Sequence, residues 1–265
     1  MKKTLRTTGW MLVLMMTAGG LLAAADPQVG SVTVHRATGK IFVDGNLDEP
    51  DWTRVPLAGT FRVYPTDVAE TPEAGDTTEI RMLWDNDNLY VAFKANDRDI
   101  LATRTRRQED VYNDDCVEVF VSPFADNPAI YTNIEINALG TYLSEVHQLK
   151  PSELLRKLPG VRDSDYSDRP NVHWFVPGLQ IGRLHQGTMN NESDVDSWWV
   201  IEESIPFSSF KYLGMKSKPK IGDVWRFNLY RIGGKLNPPR RNLFFIPEPL
   251  SNHSPQYFGK LIFGK

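Results

Sequence analysis

The segment TEIRMLWDNDNLYVAFKAND (residues 78–97) contains two runs of alternating side chains around a polar turn. Both runs are rich in the β-branched and aromatic residues that favour strands. Residues 85–88, between the runs, are Asp and Asn, which are typical of turns. The segment therefore predicts a hairpin flanked by Trp84 and Leu89. Calcium binding by the two acids of the turn is the alternative, because the same residue types bind that ion.

Similar short runs recur along the chain, each bounded by Asn, Asp, Gly or Pro: CVEVFVSP, IYTNIEIN, TYLSEVHQ, SWWVIEESIPF and DVWRFNLYRI. This spacing of strands is typical of two packed sheets. We therefore expect an all-β fold, a two-sheet antiparallel β-sandwich with jelly-roll or immunoglobulin-like layering. A few short helices are expected, at PSELLRKL from Pro151 and at PFSSFKYL from Pro206, because proline suits a first helical turn.

The segment IFVDGNLDEPDW predicts a structural corner. The Asp44-Gly45 pair fits a tight turn, because glycine adopts positive φ freely and aspartate can bond the backbone ahead of it. Asp48 is expected to cap a single helical turn near Pro50, with Leu47 and Trp52 packed inward. Metal binding by the acids is the alternative, although their spacing matches no ligand loop with defined positions.

The N terminus has the order of a secretory signal: Lys2, Lys3 and Arg6 precede an apolar run that ends in three alanines. We expect residues 1–25 to be removed and the protein to be periplasmic or secreted. Residues 26–265 are then expected to form one domain with an insertion at about 148–178.

Charge and cysteine content narrow the classes of partner. Three of the 30 Lys and Arg lie in the signal, so 27 remain against 33 Asp and Glu, a formal charge of −6. Nucleic acid and anionic membrane surfaces are therefore not expected as partners. The single cysteine, Cys116, is expected to be a buried thiol. We expect a monomer that folds without a required cofactor, with calcium left open as a structural ion.

Strand alternation indicates which side chains point together. In DDCVEVFVSP the three valines share the core face, and Glu118 lies on the other face with Asp114 at the start of the strand, beside Tyr112. In NIEINALG the isoleucines face inward, while Glu135 and Asn137 face outward. Carboxylates, an amide and an aromatic ring on adjoining outer faces suit a sugar, which needs a stacking surface and hydrogen-bond partners.

Seven pieces occur in order over nearly the whole chain after the signal: VDGNLDEPDW, TEIRMLWDNDNLYVAFKAND, YNDDCVEVFVSP, IEINALGT, WWVIEESIPF, GDVWRFNLYRI and HSPQYFGKLIF. Together they resemble a family 9 carbohydrate-binding module, within the wider superfamily of DOMON-like β-sandwiches. The resemblance implies binding of soluble sugars or polysaccharide ends between two aromatic residues, in support of polysaccharide breakdown, and structural calcium in some members.

Carried over by residue, the resemblance places the two stacking positions at Tyr112 and at or beside His253, where tryptophans are usual. Glu118 matches an acid that reaches a sugar hydroxyl, whereas Glu135 stands where arginine is expected. Trp174, with its neighbour His173 in the insertion, could rebuild one wall of the cleft. The predicted carbohydrate-binding residues are Tyr112, Asp114, Glu118, Glu135, Asn137, Trp174 and His253.

Each of these residues also has a structural interpretation. Tyr112 could cover the end of the sandwich, Glu118 and Asp114 could pair with arginines, and His253 could bond a loop. We expect no enzyme activity, since the chain lacks a G-x-S-x-G, an H-E-x-x-H and a glycine-rich phosphate loop. Glu118 and Glu135 are the single acid pair that could be nominated for a glycoside hydrolase.

Electron transfer is the second class of function, because some DOMON-like sandwiches hold haem b between methionine and histidine or lysine. The chain supplies candidate ligands without a telling spacing: Met82, Met189, Met215, His147, His173, His185 and His253. Haem ligation would leave a visible absorption spectrum.

Overall fold

The computed structural model describes residues 30–59, 61–64, 77–147, 171–233, 241–246 and 252–265. The predicted signal peptide, the predicted helix at Pro151 and most of the predicted insertion lie outside these residues. Within them the secondary structure is mostly β, which confirms the predicted class. The described helices are neither long nor apolar enough to cross a membrane.

Thirteen strands occur in the described ranges: β1 (Ser31–Arg36), β2 (Arg62–Tyr64), β3 (Thr78–Trp84), β4 (Asn88–Asn96), β5 (Cys116–Ser122), β6 (Tyr131–Asn137), β7 (Tyr142–His147), β8 (Asn171–His173), β9 (Gln180–Gln186), β10 (Trp198–Pro206), β11 (Val224–Gly233), β12 (Arg241–Phe244) and β13 (Gly259–Phe263). The helices are α1 (Pro50–Arg54) and three 3₁₀-helices, Val111–Asn113, Phe207–Leu213 and Pro255–Tyr257. The second 3₁₀-helix is the short helix predicted after Pro206.

The strands form one curled sheet in the order β8-β7-β6-β5-β11-β13-β1-β3-β4-β10-β9, with β12 between β11 and β2. Strand β1 pairs in parallel with β13 through Ser31–Val34 and with β3 through His35 and Arg36. The other described pairs are antiparallel. The sheet is therefore mixed, and the expectation of a purely antiparallel fold was wrong, because β1 runs parallel to both of its neighbours. We call β8-β7-β6-β5-β11-β13 the first ladder and β3-β4-β10-β9 the second ladder.

The main core takes side chains from both ladders. Val117, Val119 and Val121 of β5 are buried in it, as their alternation predicted, together with Phe93 of β4. The thiol of Cys116, on the opposite face of β5, is buried as predicted. Strands β3 and β4 form the predicted hairpin, in which Trp84 lies opposite Leu89. On these strands, side-chain alternation in the sequence therefore correctly predicted which residues face the core.

The predicted corner packs on the outer face of the second ladder. Trp52 of α1 is fully buried there in a small apolar cluster with Leu83 and Tyr90. The prediction that Asp48 caps α1 was wrong by one residue, because the N-cap is Glu49. The side chain of Glu49 makes no hydrogen bond to the helix backbone. The carboxylate of Asp48 instead accepts a 2.7 Å hydrogen bond from the side chain of Asn46.

Strand β10 carries two adjacent buried acids whose side chains point to opposite faces, because successive residues alternate in a strand. Glu203 shares its face with Ile201 and Ile205, which lie in the main core. Its Oε2 atom has no hydrogen-bond partner among the described residues. Burial raises the pKa of Glu203 well above its ordinary value. The carboxyl therefore stays protonated in the folded state at pH values where the unfolded chain is ionised.

This raised pKa predicts a stability that falls with rising pH. The folded state binds the Glu203 proton more tightly than the unfolded chain does, and this difference stabilises the fold. The stabilisation is complete below pH 4.5, the ordinary pKa of the group, and it is lost as the pH rises through the folded-state pKa. We expect the Glu203→Gln variant to lose less stability than wild type between about pH 5 and about pH 9. Urea unfolding at both pH values measures this difference.

The matched control is Glu79→Gln, which removes the same charge from an exposed side chain of β3. Its stability should change with pH in parallel with that of wild type. A Glu203→Gln curve that also runs parallel to wild type would contradict the burial argument.

Candidate functional site

A concave cavity of about 360 Å³ lies on the outer face of the first ladder. Strand residues form its floor, and two loops provide its walls. It is lined by Asp110, Tyr112, Glu118, Glu135, Leu143, Glu145, His173, Ile232, Asn252 and His253. The structure thus brings together four of the seven predicted carbohydrate-binding residues: Tyr112, Glu118, Glu135 and His253.

Two glutamates form the centre of the floor. Glu118 of β5 lies directly opposite Glu135 of β6, as expected for outward-facing residues on neighbouring strands. Their side chains are buried nevertheless, with relative exposures of 1% and 4%. Residues directly opposite in an antiparallel pair have Cβ atoms about 5 Å apart, so the two carboxyl groups share one small space.

The carboxyl groups of the floor have few partners. Both oxygens of Glu118 and Oε2 of Glu135 are buried without a hydrogen bond that meets normal geometry among the described residues. Burial raises the pKa of Glu118 to about 8, with the nearby Asn252 side chain acting in the opposite direction. Burial and the charge of Glu118 raise the pKa of Glu135 as well. Both groups are therefore able to donate as well as accept hydrogen bonds near neutral pH.

A polar network fixes the orientation of Glu135. Its Oε1 accepts a 2.7 Å hydrogen bond from the amide of Asn133, whose oxygen lies 3.0 Å from Nε2 of His147. The His147 ring stacks on Tyr131 with centroids 4.4 Å apart. Burial lowers the pKa of His147 to about 3, so this imidazole is neutral. With Nε2 as its donor nitrogen, the ring satisfies the Asn133 oxygen and leaves the amide to donate to Glu135.

Tyr112 forms one wall of the cavity. It lies in the 3₁₀-helix Val111–Asn113 and is 41% exposed. Val111 anchors this turn by packing against Cys116 and Leu143 on the outer face of the first ladder. Burial and the adjacent Asp110 carboxylate raise the pKa of the Tyr112 phenol. The wall is thus a neutral, half-exposed aromatic ring on a fixed turn, which is suited to stacking on a ligand.

The loop that carries Asn252 and His253 forms the opposite wall. The hydroxyl of Tyr230 donates a 2.9 Å hydrogen bond to the backbone oxygen of Asn252. The hydroxyl of Tyr131 lies 2.9 Å from Nδ1 of His253, whose ring also packs against Phe120. Side chains from β5, β6 and β11 therefore hold this wall against the floor.

Asp114 and Asn137 do not line the cavity, contrary to the sequence-based expectation. Both are fully buried, and the amide of Asn137 donates a 2.8 Å hydrogen bond to Asp114. The same carboxylate accepts hydrogen bonds from the Thr103 hydroxyl and the Arg104 backbone. These bonds lower the pKa of Asp114 despite its burial. The pair holds the loop that carries Tyr112, so its place in the fold is structural.

Trp174 is also absent from the wall, because its side chain is fully buried in the main core. The adjacent residue, His173, lines the cavity instead, with Nε2 3.1 Å from a carboxylate oxygen of Glu145. Neighbouring residues of an extended chain point in opposite directions, so only one of the two can face the ligand side.

Sequence reasoning missed five lining residues: Asp110, Leu143, Glu145, Ile232 and Asn252. Alternation in TYLSEVHQ places Leu143 and Glu145 on the same outer face as Glu135, because β7 pairs with β6. That signal was available but needed the pairing of the two strands. Asn252 gave no comparable signal, because it lies in a loop.

Metal and haem chemistry find no support at this site. Among the described residues no group of three or more His, Cys, Asp or Glu side chains could hold a metal ion. For haem, the candidate ligand Met82 is enclosed in the main core, and His147 is held by Asn133 and Tyr131.

The floor strands and the Tyr112 turn lie within one continuous part of the chain. Residues 43–145 match the sequence family described as carbohydrate family 9 binding domain-like. This match confirms the predicted resemblance to family 9, whereas the wider DOMON-like superfamily stays a prediction. It covers α1, β2 to β6 and most of β7, and hence Tyr112, Glu118 and Glu135, whereas the His253 wall lies beyond the matched segment. A comparison with curated protein sequences gave no match.

Solved structures extend the family 9 likeness in fold to most of the chain. A protein from Bacteroides uniformis, described as a putative carbohydrate-binding protein, has a TM-score of 0.62 at 20% identity, over 89% of this chain and 99% of its own. A family 9 module from Caldicellulosiruptor kristjanssonii in complex with cellotriose has a TM-score of 0.56 at 16% identity, over 89% and 94%. The same module in complex with glucose has a TM-score of 0.55 at 16% identity, over 89% of this chain and 96% of its own.

Proposed function

We propose that the protein is a non-catalytic carbohydrate-binding module that holds an oligosaccharide or polysaccharide end in the cavity between Tyr112 and His253. The observation that carries the proposal is the buried Glu118 and Glu135 pair, whose unpartnered oxygens face a cavity of ligand size. The family 9 match over residues 43–145 and the sugar-bound structural relatives support it.

The chemistry of the lining fits a sugar ring. A pyranose has apolar faces that can stack on Tyr112 and equatorial hydroxyls that both donate and accept hydrogen bonds. Carboxyl groups and the Asn252 amide offer both roles in return. Each hydroxyl bound at Glu118 would satisfy a buried oxygen that otherwise lacks a partner.

The charge of the lining sets a preference among sugars. Of the ten lining residues that the structure describes, four are acids, and none of the ten is Lys or Arg. A uronic acid would bring a carboxylate into this set, and like charges in a site of low dielectric repel strongly. We therefore propose that neutral oligosaccharides bind in preference to glucuronates.

Replacing Tyr112 with alanine is expected to weaken sugar binding by about 1–3 kcal/mol, roughly tenfold to a hundredfold, through lost stacking and burial. Folding stability should change little, because the ring is half-exposed at the rim of the cavity. Calorimetric titration with cello-oligosaccharides, alongside urea unfolding, measures both quantities.

The control for Tyr112→Ala is Phe42→Ala. Phe42 is also an exposed aromatic residue, at 56%, and does not line the cavity. Its variant should bind like wild type. If wild type and Tyr112→Ala bind a cello-oligosaccharide equally, the proposed site is wrong.

We further propose that the curled sheet is a two-layer sandwich, since the core takes side chains from both ladders. We propose secretion after cleavage of residues 1–25 and a supporting role in polysaccharide breakdown outside the cytoplasm, which the N-terminal charge order and apolar run support. Sequencing the N terminus of protein recovered from the periplasm or medium tests the cleavage.

A further inference from the structure

The floor of the cavity has an excess of hydrogen-bond acceptors over donors. Glu118 is 1% exposed and, with the Asn252 side chain nearby, has no hydrogen bond of normal geometry among the described residues; Oε2 of Glu135 likewise has none. A buried acceptor without a hydrogen bond destabilises the site, because it has lost its water and gained no partner. The two carboxyl groups face each other across paired strands. A ligand that brings several hydrogen-bond donors to this point would give these buried oxygens the partners that they lack.

The groups that surround this pair are also acidic. Asp110 and Glu145 line the same cavity, and Glu145 contacts His173. The second lining histidine, His253, is already hydrogen-bonded to the Tyr131 hydroxyl. No Lys or Arg stands among the lining residues that the structure describes, so none of these residues neutralises the floor. A cation between Glu118 and Glu135 would favour the ionised form of both carboxyl groups, which burial otherwise keeps protonated, whereas a neutral ligand of the same shape gains no such attraction.

We propose that the preferred ligand of the cavity is a sugar residue with a free primary amine, whose ammonium group binds between Glu118 and Glu135. The inference rests on the proposed sugar-binding function and narrows its substrate class. An ammonium group carries three donors and a positive charge, so on binding it can drive the protons of the two carboxyl groups into solvent and bond both as carboxylates. N-acetylation removes the charge and leaves a single N–H donor.

Unacetylated chitobiose and cellobiose form a matched pair of probes, because they share ring and linkage and differ in an amine for a hydroxyl at one position of each sugar. Calorimetric titration of the full protein is done at a pH where the amine is protonated. We expect the amine disaccharide to bind about tenfold more tightly or better, as a charge-assisted bond in a buried site allows. N,N′-diacetylchitobiose should bind no more tightly than cellobiose.

The Glu118→Gln variant keeps the shape but cannot ionise when the ammonium group binds, so it should reduce the ratio of the two affinities to about one. Glu135→Gln should lower the same ratio, and it serves as the second variant if Glu118→Gln does not fold. Glu79→Gln removes an equal charge from the surface of the second ladder and should keep the wild-type ratio.

Equal or tighter binding of cellobiose by wild type would overturn the amine inference and leave the sugar-binding proposal standing. Binding of neither disaccharide, nor of longer cello-oligosaccharides, would overturn both. An affinity ratio that survives in both Glu118→Gln and Glu135→Gln would show that the ammonium group binds elsewhere, which also contradicts the inference.

Discussion

Replacing Glu202 with alanine is expected to lower the free energy of unfolding by about 3–5 kcal/mol. Its buried carboxylate accepts three hydrogen bonds, from the backbone N–H groups of Asp44 and Gly45 at 3.1 and 2.9 Å and from Nε1 of Trp52 at 2.8 Å. Alanine would leave these donors without their acceptor. Urea unfolding at neutral pH measures the loss, which is a large share of the stability of a typical domain.

The Asp44-Gly45 turn packs against strand β9, so the fold is sensitive to substitution of Glu202, which binds this turn. Glu202 pairs with Gly182 across β10 and β9. A Cβ atom on Gly182 would collide with the backbone of the turn, and Gly45 has a φ of +88°, which favours glycine. The turn therefore fits closely over β9, and Glu202 bonds both of its backbone donors.

A second variant separates hydrogen bonding from packing. Glu202→Gln keeps one acceptor oxygen but places an NH₂ group against at least one donor, so its cost should be smaller than that of alanine. In a Trp52→Phe background, which lacks the indole donor, the cost of Glu202→Gln should fall further. A cost that is the same in both backgrounds would refute the proposed bond between Trp52 and Glu202.

The local control is Glu49→Ala. Glu49 belongs to the same corner, and its Oε1 accepts one exposed hydrogen bond from the backbone of Phe42. We expect its replacement to cost less than about 1 kcal/mol, since an exposed donor can bond water.

Replacing Arg231 with methionine is expected to destabilise the fold by about 3–5 kcal/mol, because it leaves a buried acid without its cation. Arg231 and Asp97 are 1% and 5% exposed, and NH2 of Arg231 lies 3.1 Å from Oδ2 of Asp97. The guanidinium group also donates to the Thr78 hydroxyl and the Asn96 backbone oxygen. Arg231 belongs to β11 and these partners to β3 and β4, so it joins the two ladders.

The double variant Arg231→Met with Asp97→Asn tests the pairing. Burial raises the pKa of Asp97, and the charge of Arg231 opposes this rise. Removing both charges should therefore cost at least about 2 kcal/mol less than the sum of the single variants. Additive costs would show that the two charges do not stabilise each other. Arg81→Met, which breaks a surface pair with Glu79, should cost less than about 1 kcal/mol.

Local patterns were sufficient for much of the fold. The hairpin of residues 78–97, the core-facing valines of β5 and the Asp44-Gly45 turn depend on side-chain alternation and on turn preferences. These are short-range properties, which neighbouring residues fix before any distant contact forms. Seven sequence pieces in the order of a family 9 module further predicted that Tyr112 and His253 lie on either side of one site, and both line the cavity.

The role of each polar residue depended instead on contacts between distant parts of the chain. Asp114 and Asn137 carry the same side-chain types as a sugar site but bond each other beneath a loop. Glu202 and Arg231 occur in ordinary strand patterns, yet their partners lie 150 and 134 positions away, at Trp52 and Asp97.

Sequence by itself determined the strand class, the core faces and the turns, because these follow from the period of a strand and the preferences of single residues. Only the tertiary structure decided which outward-facing groups are covered and which remain open to a ligand. Strand alternation assigns Glu118 and Phe120 to the same outer face. The packing of Tyr131, Tyr230 and Phe258 then closes the space over Phe120 and leaves a cavity over Glu118.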